Sequence, residues 1–367
     1  MQKSVCLFIL FVTCFFMLSF SAGAVDISAK GAVLLEIDSG DVVFGKNEHA
    51  PLPMASTTKI MTALVVLENA RLSDTVAIEP NMVGIEGSSI YLRVGEVLTV
   101  EDLLYALLLE SANDASVALA IHTSGSVEAF ADMMNQKACE LGLKSTNFTN
   151  PHGLDDTNHY TTAHDLAIIA SNAMQNEDFA RIVSTKKSVI PLSNGEGSRV
   201  LVNHNRLLRT YNGAIGIKTG YTKRCGRCLV SSAERNGVRL ICVTLNAPND
   251  WNDHKALLDY GFTQYESINL ATPGCYTVEL CTIGGNKSTF IASNDQALTV
   301  TLKKGAHDFY AILEANRLIS APVHENEAVG TIAFYDGNTL LGRLPLLAKD
   351  TVEKLNYKKS LFERIFG

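Results

Sequence analysis

The chain has 367 residues, of which 47% are apolar, and it carries 31 Lys and Arg against 38 Asp and Glu. This length is sufficient for two domains with a sizeable core. The net charge of -7 argues against a nucleic-acid-binding protein, because such a protein needs a basic face. We therefore expect no nucleic-acid partner.

The first segment of the chain has the pattern of an export signal. Lys3 precedes an apolar run over 5–20, and Ser21-Ala22-Gly23-Ala24 supplies an A-x-A cleavage site. We expect a signal peptide over 1–24. The length of the apolar run leaves an uncleaved anchor as the alternative. Both readings predict that the rest of the chain faces outward across the cytoplasmic membrane.

From residue 25 to residue 266 the sequence mixes strand and helix periods. Residues 29–44 predict a hairpin with its turn at Asp38-Ser39-Gly40-Asp41. Strands at both ends of this region, with helices between them, indicate an α/β first domain over 25–266. The other predicted elements are helices over 59–69, 100–122 and 126–141 and central strands over 229–233 and 238–245.

Residues 267–348 have a different pattern, a succession of short strands separated by turn residues. Asp336-Gly337 is a strong hairpin signal. These features predict a small all-β second domain. Its predicted strands cover 276–280, 289–292, 298–302, 309–313 and 328–335.

The last segment, 349–367, changes character again. Its five basic and three acidic residues give a local charge of +2, and its apolar residues fall near one helical face: Val352, Leu355, Phe362, Ile365 and Phe366. The pattern predicts a basic amphipathic helix. Such a helix can lie on an anionic membrane surface. The alternatives are a helix packed on the second domain or a frayed tail, and the sequence leaves these readings open.

Six cysteines remain after the predicted signal: Cys139, Cys225, Cys228, Cys242, Cys275 and Cys281. Their density is far below that of a disulfide-stapled scaffold, so we expect buried or occasionally paired thiols. Cys225 and Cys228 have CxxC spacing, but no second CxxC or His pair accompanies them. We therefore expect no metal and no cofactor.

The first motif with chemical content is Ser56-Thr57-Thr58-Lys59, ahead of an apolar helical run. In a helix this spacing places the two end residues on one face, with their Cβ atoms about 5–6 Å apart. A serine hydroxyl becomes a good nucleophile when a base stands beside it, and a neutral lysine can be that base. The alternative is a helix N-cap serine with a solvated lysine.

Two further motifs gain meaning from the first. Ser111-Ala112-Asn113 interrupts an apolar helical stretch, and its polar side chains need partners if they are buried. Lys218-Thr219-Gly220 precedes a predicted strand, where a lysine and a hydroxyl can hold a carboxylate and glycine permits close approach. Taken singly, the first of these motifs is better explained as a helix boundary and the second as an exposed strand edge. S-x-x-K, a second serine motif and K-T-G in this order form the signature set of class A β-lactamases and penicillin-binding proteins.

The sequence resembles the D-alanyl-D-alanine carboxypeptidases, the low-molecular-mass penicillin-binding proteins of serine peptidase type. The resemblance implies the α/β (α+β) fold of serine β-lactamases and penicillin-binding transpeptidase domains, followed by a small all-β domain and an amphipathic C-terminal helix. It covers nearly the whole mature chain and rests on residues 53–59, 109–115, 150–155, 159–163, 218–222 and 257–262.

The resemblance also implies catalytic roles for matching residues. Ser56 would attack the carbonyl between two D-alanines of a peptidoglycan pentapeptide stem and form an acyl-enzyme. Lys59 would accept the serine proton, which requires a neutral amine. Ser111 would relay a proton toward the leaving amine, and Asn113 would orient the lysine and the substrate amide. β-Lactam antibiotics would act as covalent inhibitors of the same serine.

Substrate binding would fall to the third motif. The resemblance implies that Lys218 and Thr219 hold the terminal carboxylate and that Gly220 lets the substrate approach. The backbone N–H groups of Ser56 and Tyr221 would form the oxyanion hole. His152 and His159 are predicted to be structural loop residues. Cys225 departs from the small residue expected near this motif and leaves the site assignment intact.

Three alternatives accompany this interpretation. A class A β-lactamase adds a glutamate in an E-x-x-L-N loop, and none of the glutamates between the second and third motifs begins such a sequence; they are Glu128, Glu140, Glu177 and Glu196. A catalytically idle wall-binding protein would not need the complete set of motif residues. D,D-endopeptidase action on cross-links would use the same machinery on a longer substrate.

Overall fold

The computed structural model describes residues 25–192 and 197–355. The predicted signal segment, 1–24, lies outside the described residues, as does Glu196. Within the described ranges no helix is long and apolar enough to cross a membrane. The described chain forms an α/β unit, residues 25–264, and a β unit, residues 265–355.

The α/β unit begins with two strands of one sheet and ends with three more strands of that sheet followed by a last helix, and its other helices lie between these two groups in sequence. In chain order the elements are β1 Gly31–Glu36, β2 Val42–Lys46, a 3-10 turn Ala55–Thr58, α1 Lys59–Asn69, β3 Thr75–Ala77, a 3-10 turn Pro80–Met82, β4 Val97–Thr99, α2 Val100–Leu109, α3 Asn113–Ser124, α4 Val127–Glu140, α5 Ala163–Met174, α6 Glu177–Ser184, β5 Lys187–Pro191, β6 Ser198–Val202, α7 Leu207–Thr210, β7 Ala214–Thr222, β8 Gly226–Arg235, β9 Val238–Leu245 and α8 Asp250–Gln264.

The central sheet is antiparallel and has the strand order β2-β1-β9-β8-β7. Strand β1 is buried along its whole length because both faces are covered. Since side chains alternate across a strand, Val33 and Leu35 enter the core under the helical cluster, whereas Ala32 and Leu34 enter the core under α8. Helices α5 and α6 pack on one face and α8 on the other, so the unit has three layers.

The predicted hairpin, the predicted helices over 59–69 and 126–141 and the two central strands are confirmed. The helical run expected over 100–122 is not one continuous helix, and its break falls at the helix boundary that Ser111-Ala112-Asn113 suggested. It is divided into α2 and α3, because Ser111 has a φ of 61°, which no right-handed helix accommodates. The polar interruption seen in the sequence is therefore a corner between two helices.

The β unit has the predicted all-β character. Its core contains Leu280, Phe290, Ile332, Phe334 and Leu346. A two-stranded sheet, β10-β13, accompanies a six-stranded sheet of order β14-β16-β17-β12-β11-β15. The strands are β10 Tyr265–Ala271, β11 Thr277–Ile283, β12 Thr289–Ser293, β13 Leu298–Lys303, β14 Phe309–Ala315, β15 Leu318–Ser320, β16 Ala328–Asp336 and β17 Thr339–Ala348. The sequence patterns locate five of these eight strands and do not predict β10, β15 or β17.

The amphipathic helix expected over 349–367 is wrong over its first seven residues. Residues 349–355 contain no helix: residues 349 and 350 form a bend, and the following residues pair through the bridges Val323↔Val352 and Gly285↔Lys354. Val352 is fully buried in the core of the β unit, so its apolar side chain serves sheet packing. The rest of the expected helix, residues 356–367, lies outside the described residues.

Candidate active site

The nucleophile candidate and its neighbouring lysine lie at the start of α1. Ser56 is in the 3-10 turn Ala55–Thr58, and Lys59 is the first residue of the helix. The three-residue spacing turns both side chains to one side, and Lys59 Nζ lies 3.2 Å from Ser56 Oγ. The distance permits a hydrogen bond, so a proton can pass directly between the two groups.

Lys59 is fully buried, and two fixed acceptors hold its amine. Nζ donates to Asn113 Oδ1 at 2.7 Å and to the His152 carbonyl at 2.6 Å. Burial, followed by the positive charge of Lys218, lowers the pKa of Lys59 well below its usual value, while Asp114 acts in the opposite direction. The amine is therefore poised to be neutral and can accept a proton.

The turn that carries Ser56 is held in an uncommon conformation. Ala55 has a φ of 49°, a region that non-glycine residues seldom adopt. Gly153 packs directly on it, because a Cβ at this position would lie 2.0 Å from the Ala55 carbonyl oxygen. Only glycine permits this approach. The 150–155 loop thus fixes the position of the serine.

His159 stabilises the same turn through a hydrogen bond to Thr58. The Thr58 hydroxyl donates to the Ala55 carbonyl, so it accepts from His159 Nε2 at 2.8 Å, while Nδ1 accepts the Thr149 N–H. Burial lowers the pKa of His159 to about 4, which keeps the ring neutral in this tautomer. His159 and His152 occupy the loop positions expected for them. The His152 backbone carbonyl accepts a hydrogen bond from Lys59 Nζ.

Ser111 and Asn113 come from the corner between α2 and α3. The Ser111 hydroxyl is buried and has no hydrogen-bond partner among the described residues. Asn113 is fixed on both sides: its Nδ2 donates to the Glu86 carbonyl, and its backbone N–H donates to the Ser88 carbonyl at 2.7 Å. A fixed amide beside a free hydroxyl can orient a substrate peptide.

Asp114 stabilises the loop that holds Asn113, a role that the sequence motif over 109–115 did not assign to it. Its buried carboxylate accepts from the Ser89 hydroxyl at 2.6 Å and from the Leu92 N–H at 3.0 Å. Arg199 binds the same loop from β6, donating to the Ile90 carbonyl and pairing with Glu96. The 86–92 loop is therefore clamped from two sides.

The third motif lies on β7, next to the nucleophile. A Cβ on Gly220 would lie 3.1 Å from the Ser56 nitrogen, so the strand passes close to the serine backbone. Lys218 is buried and donates to the Thr219 carbonyl at 3.0 Å. Burial lowers the pKa of Lys218 to about 7, although Glu110 opposes the shift. The lysine is therefore only partly charged at neutral pH.

The three motifs border one cleft of about 310 Å³. Ser56, Ser111, Thr219, Gly220 and Tyr221 line it, which brings together residues from all three motifs. Lys59, Asn113 and Lys218 lie just behind this surface. Lys59 donates to Ser56 Oγ and to Asn113 Oδ1, and Lys218 donates to the Thr219 carbonyl. Sequence analysis missed the remaining lining residues, Ser88, His204, Arg227, Asp250 and Trp251.

The six cysteines of the described chain are unpaired, including Cys225 and Cys228. Burial raises the pKa of Cys225 to about 11 and that of Cys228 to about 12, so both thiols are protonated at neutral pH. Cys225 Sγ donates to Asp155 Oδ1 at 3.2 Å. Within the described ranges no cluster of His, Cys, Asp or Glu side chains could hold a metal ion.

The α/β unit has three layers and places a serine hydroxyl beside a buried amine. This arrangement is typical of enzymes that use an active-site serine for acyl transfer. Comparisons with known proteins narrow this class. The model of the D-alanyl-D-alanine carboxypeptidase family, peptidase S11, matches residues 19–249. The model of the penicillin-binding protein 5 C-terminal domain matches residues 265–354.

Individual relatives agree with the family models. The D-alanyl-D-alanine carboxypeptidase DacF of Bacillus subtilis is 36% identical over 90% of this chain and 87% of its own length. DacC of Escherichia coli is 31% identical over 90% of this chain and 86% of its own. The crystal structure of penicillin-binding protein 5 from Haemophilus influenzae superposes with a TM-score of 0.65 at 30% identity, covering 90% of this chain and 98% of that one.

The chain belongs to the D-alanyl-D-alanine carboxypeptidase family, in its penicillin-binding protein 5-like form. It is a serine-type D-Ala-D-Ala carboxypeptidase that acts in peptidoglycan remodelling. The family acts on the outer face of the membrane, on peptidoglycan stems ending in D-Ala-D-Ala, and it binds β-lactams.

Proposed function

We propose that Ser56 is the nucleophile of this carboxypeptidase and that Lys59 is its general base. The observation that carries the proposal is the 3.2 Å contact between Lys59 Nζ and Ser56 Oγ, with the amine fully buried. A neutral amine takes the hydroxyl proton as Oγ attacks the carbonyl carbon between the two D-alanines. The backbone N–H groups of Ser56 and Tyr221 receive the developing oxyanion.

The second motif completes the acyl transfer. The Ser111 hydroxyl donates its proton to the leaving nitrogen of the terminal D-alanine and receives in its place the proton that Lys59 had accepted. The C–N bond breaks to give the Ser56 ester and a free amine, and Lys59 is neutral again. Asn113 holds Lys59 through Oδ1 and orients the substrate amide. Water then attacks the ester, with Lys59 again as the base, and releases the shortened stem.

The third motif binds the substrate. Lys218 and Thr219 hold the terminal carboxylate, and Gly220 allows the peptide to lie along β7, since its missing side chain leaves room beside Ser56. A free C-terminal carboxylate is the feature that separates a carboxypeptidase substrate from an internal peptide bond. D,D-endopeptidase action on cross-links remains a candidate side activity of the same groups.

The β-lactamase alternative requires a second base for rapid deacylation. The described residues that line the cleft include no glutamate. We therefore expect penicillin to acylate Ser56 and to leave slowly. Rapid, sustained hydrolysis of benzylpenicillin would favour the β-lactamase, and the absence of both acylation and D-alanine release would favour the catalytically idle wall-binding protein.

We further propose that residues 1–24 direct export and that the basic C-terminal segment contributes to membrane attachment. The apolar run after Lys3 and the +2 charge from residue 349 onward support this. Co-sedimentation with vesicles of phosphatidylglycerol and phosphatidylethanolamine should decrease when residues 356–367 are removed. Equal binding by both proteins would contradict it.

The test of the site is covalent labelling. The purified protein is incubated with labelled penicillin, and the adduct is mapped by peptide mass spectrometry. We expect the label on Ser56 and none in Ser56→Ala. Ser88→Ala is the matched control, because Ser88 lines the same cleft and has no proposed chemical role; it should be labelled normally. A label on any other residue would overturn the assignment of Ser56.

A further inference from the structure

We propose that Arg227 is a specificity-determining residue: its guanidinium provides the permanent positive charge that recognises the free carboxylate of the terminal D-alanine. The inference rests on the proposed function and refines its substrate-binding part. It adds to Lys218 and Thr219 a residue outside the three motifs, contributed by the neighbouring strand β8.

The strand register places Arg227 on the same surface as the motif hydroxyl. Tyr221 pairs with Arg227 across β7 and β8. Alternate residues of a strand share a face, so Thr219, Tyr221 and Arg227 face the same side of the sheet. All three line the cleft that contains Ser56. A carboxylate bound by the Thr219 hydroxyl therefore lies on the Arg227 side of that cleft.

Two neighbours hold the guanidinium in place. Arg227 Nε pairs with Asp250 Oδ2 at 3.0 Å, and this carboxylate is almost fully buried. The guanidinium carbon lies 5.7 Å from the centre of the Trp251 ring, a cation–π distance. Because the ion pair uses Nε, both terminal nitrogens remain available for a bidentate carboxylate. The side chain is thus positioned before the substrate arrives.

The charges around the cleft favour Arg227 over the two buried lysines as the carboxylate partner. Lys59 must be neutral to act as a base, and burial lowers the pKa of Lys218 to about 7. An arginine remains charged throughout the physiological range. The Arg206 guanidinium carbon lies 5.8 Å from the centre of the same Trp251 ring, but Arg206 does not line the cleft.

The experiment compares substrates with and without the carboxylate. Release from diacetyl-Lys-D-Ala-D-Ala is measured beside its C-terminal amide, and Ser56 acylation is measured with benzylpenicillin beside its methyl ester. For Arg227→Gln we expect kcat/KM for both acids to fall at least about tenfold, while the amide and the ester change less than about threefold. Arg227→Lys should recover part of the preference for the acids.

Arg206→Gln is the matched control, because it removes the same charge beside the same tryptophan but does not line the cleft. Its acid-to-amide ratio should equal that of the wild type. An equal fall for acid and amide in Arg227→Gln, or an equal loss of preference in Arg206→Gln, would overturn the inference. If the wild type releases no D-alanine, the proposed function fails, and the penicillin and ester pair still tests Arg227.

Discussion

The α/β unit and the β unit bury very different side chains. Around its cleft the α/β unit buries Lys59, Lys218, Asn113 and Asp114. In the described β unit the buried polar residues are all uncharged: Ser293, Asn294 and Thr301. Burying a charged group is costly unless it is paired or neutralised. The difference teaches that the first unit retains costly groups for chemistry, whereas the second is built for packing.

Burial alone does not identify a catalytic group. His254 is fully buried on the α8 side of the sheet, and its two nitrogens lie 2.6 Å from Ser231 Oγ and 2.9 Å from Thr244 Oγ1. Burial lowers its pKa to about 3, so the ring is neutral. Both nitrogens are satisfied and the ring does not line the cleft. Lys59 differs because its amine contacts the hydroxyl of Ser56, which lines the cleft.

The largest effect should come from Lys59→Met, which removes the proposed base but keeps a side chain of similar length. We expect the rate of Ser56 acylation by labelled penicillin to fall by about 10²–10⁴, the usual contribution of a general base. The fold should be retained, as measured by near-ultraviolet circular dichroism. A folded variant that acylates within tenfold of the wild-type rate would contradict the role of Lys59.

The reverse pattern is expected for Phe334→Ala in the β unit. Phe334 is 3% exposed and packs in the core of that unit, where its ring contacts Tyr276 edge-on. Removing it should destabilise the unit by about 3–5 kcal/mol, measured by urea denaturation. Below the unfolding transition, penicillin acylation should proceed at the wild-type rate. A parallel loss of acylation would show that the two units are energetically coupled.

The same contrast explains how much the sequence could predict. Short runs rich in strand-forming residues locate strands such as β14 and β16. Apolar residues at helical spacing locate α1 and α4. In each of these elements the apolar residues follow a single periodicity, so the element type can be predicted. The helix α8 escaped, because polar residues occupy much of its first turn and its buried face includes Asp253 and His254. Its pattern therefore does not separate a buried face from an exposed one.

The site divides along the same line. The motif residues Ser56, Ser111 and Thr219 are predicted to be near one another and line one cleft. Arg227 and Trp251 could not be predicted, because only the strand register and the packing of α8 bring them to that cleft. CxxC spacing does not predict whether Cys225 and Cys228 pair. In the structure both are free thiols, which donate to Asp155 and to the Pro53 carbonyl, respectively.

The smallest effect should come from Asp114→Asn, which keeps the size of the side chain but removes its charge. The clamp on the 86–92 loop is weakened, because an amide accepts fewer of the hydrogen bonds from Ser89, Ile90 and Leu92. We expect acylation to slow by about tenfold at most, since charge-assisted hydrogen bonds contribute about 1.5–3 kcal/mol and one or two persist. Stopped-flow penicillin acylation measures this.

The pH dependence of the acylation rate tests whether Asp114 also acts electrostatically on Lys59, beyond its structural role in the 86–92 loop. Asp114 raises the pKa of Lys59 and Lys218 lowers it, although burial is the larger cause. Acylation needs neutral Lys59, so its rate falls as the pH falls through that pKa. Asp114→Asn should therefore move the acidic limb to lower pH, whereas Lys218→Met should move it to higher pH. If both variants left the limb in place, or moved it in one direction, the charges around Lys59 would not set its protonation.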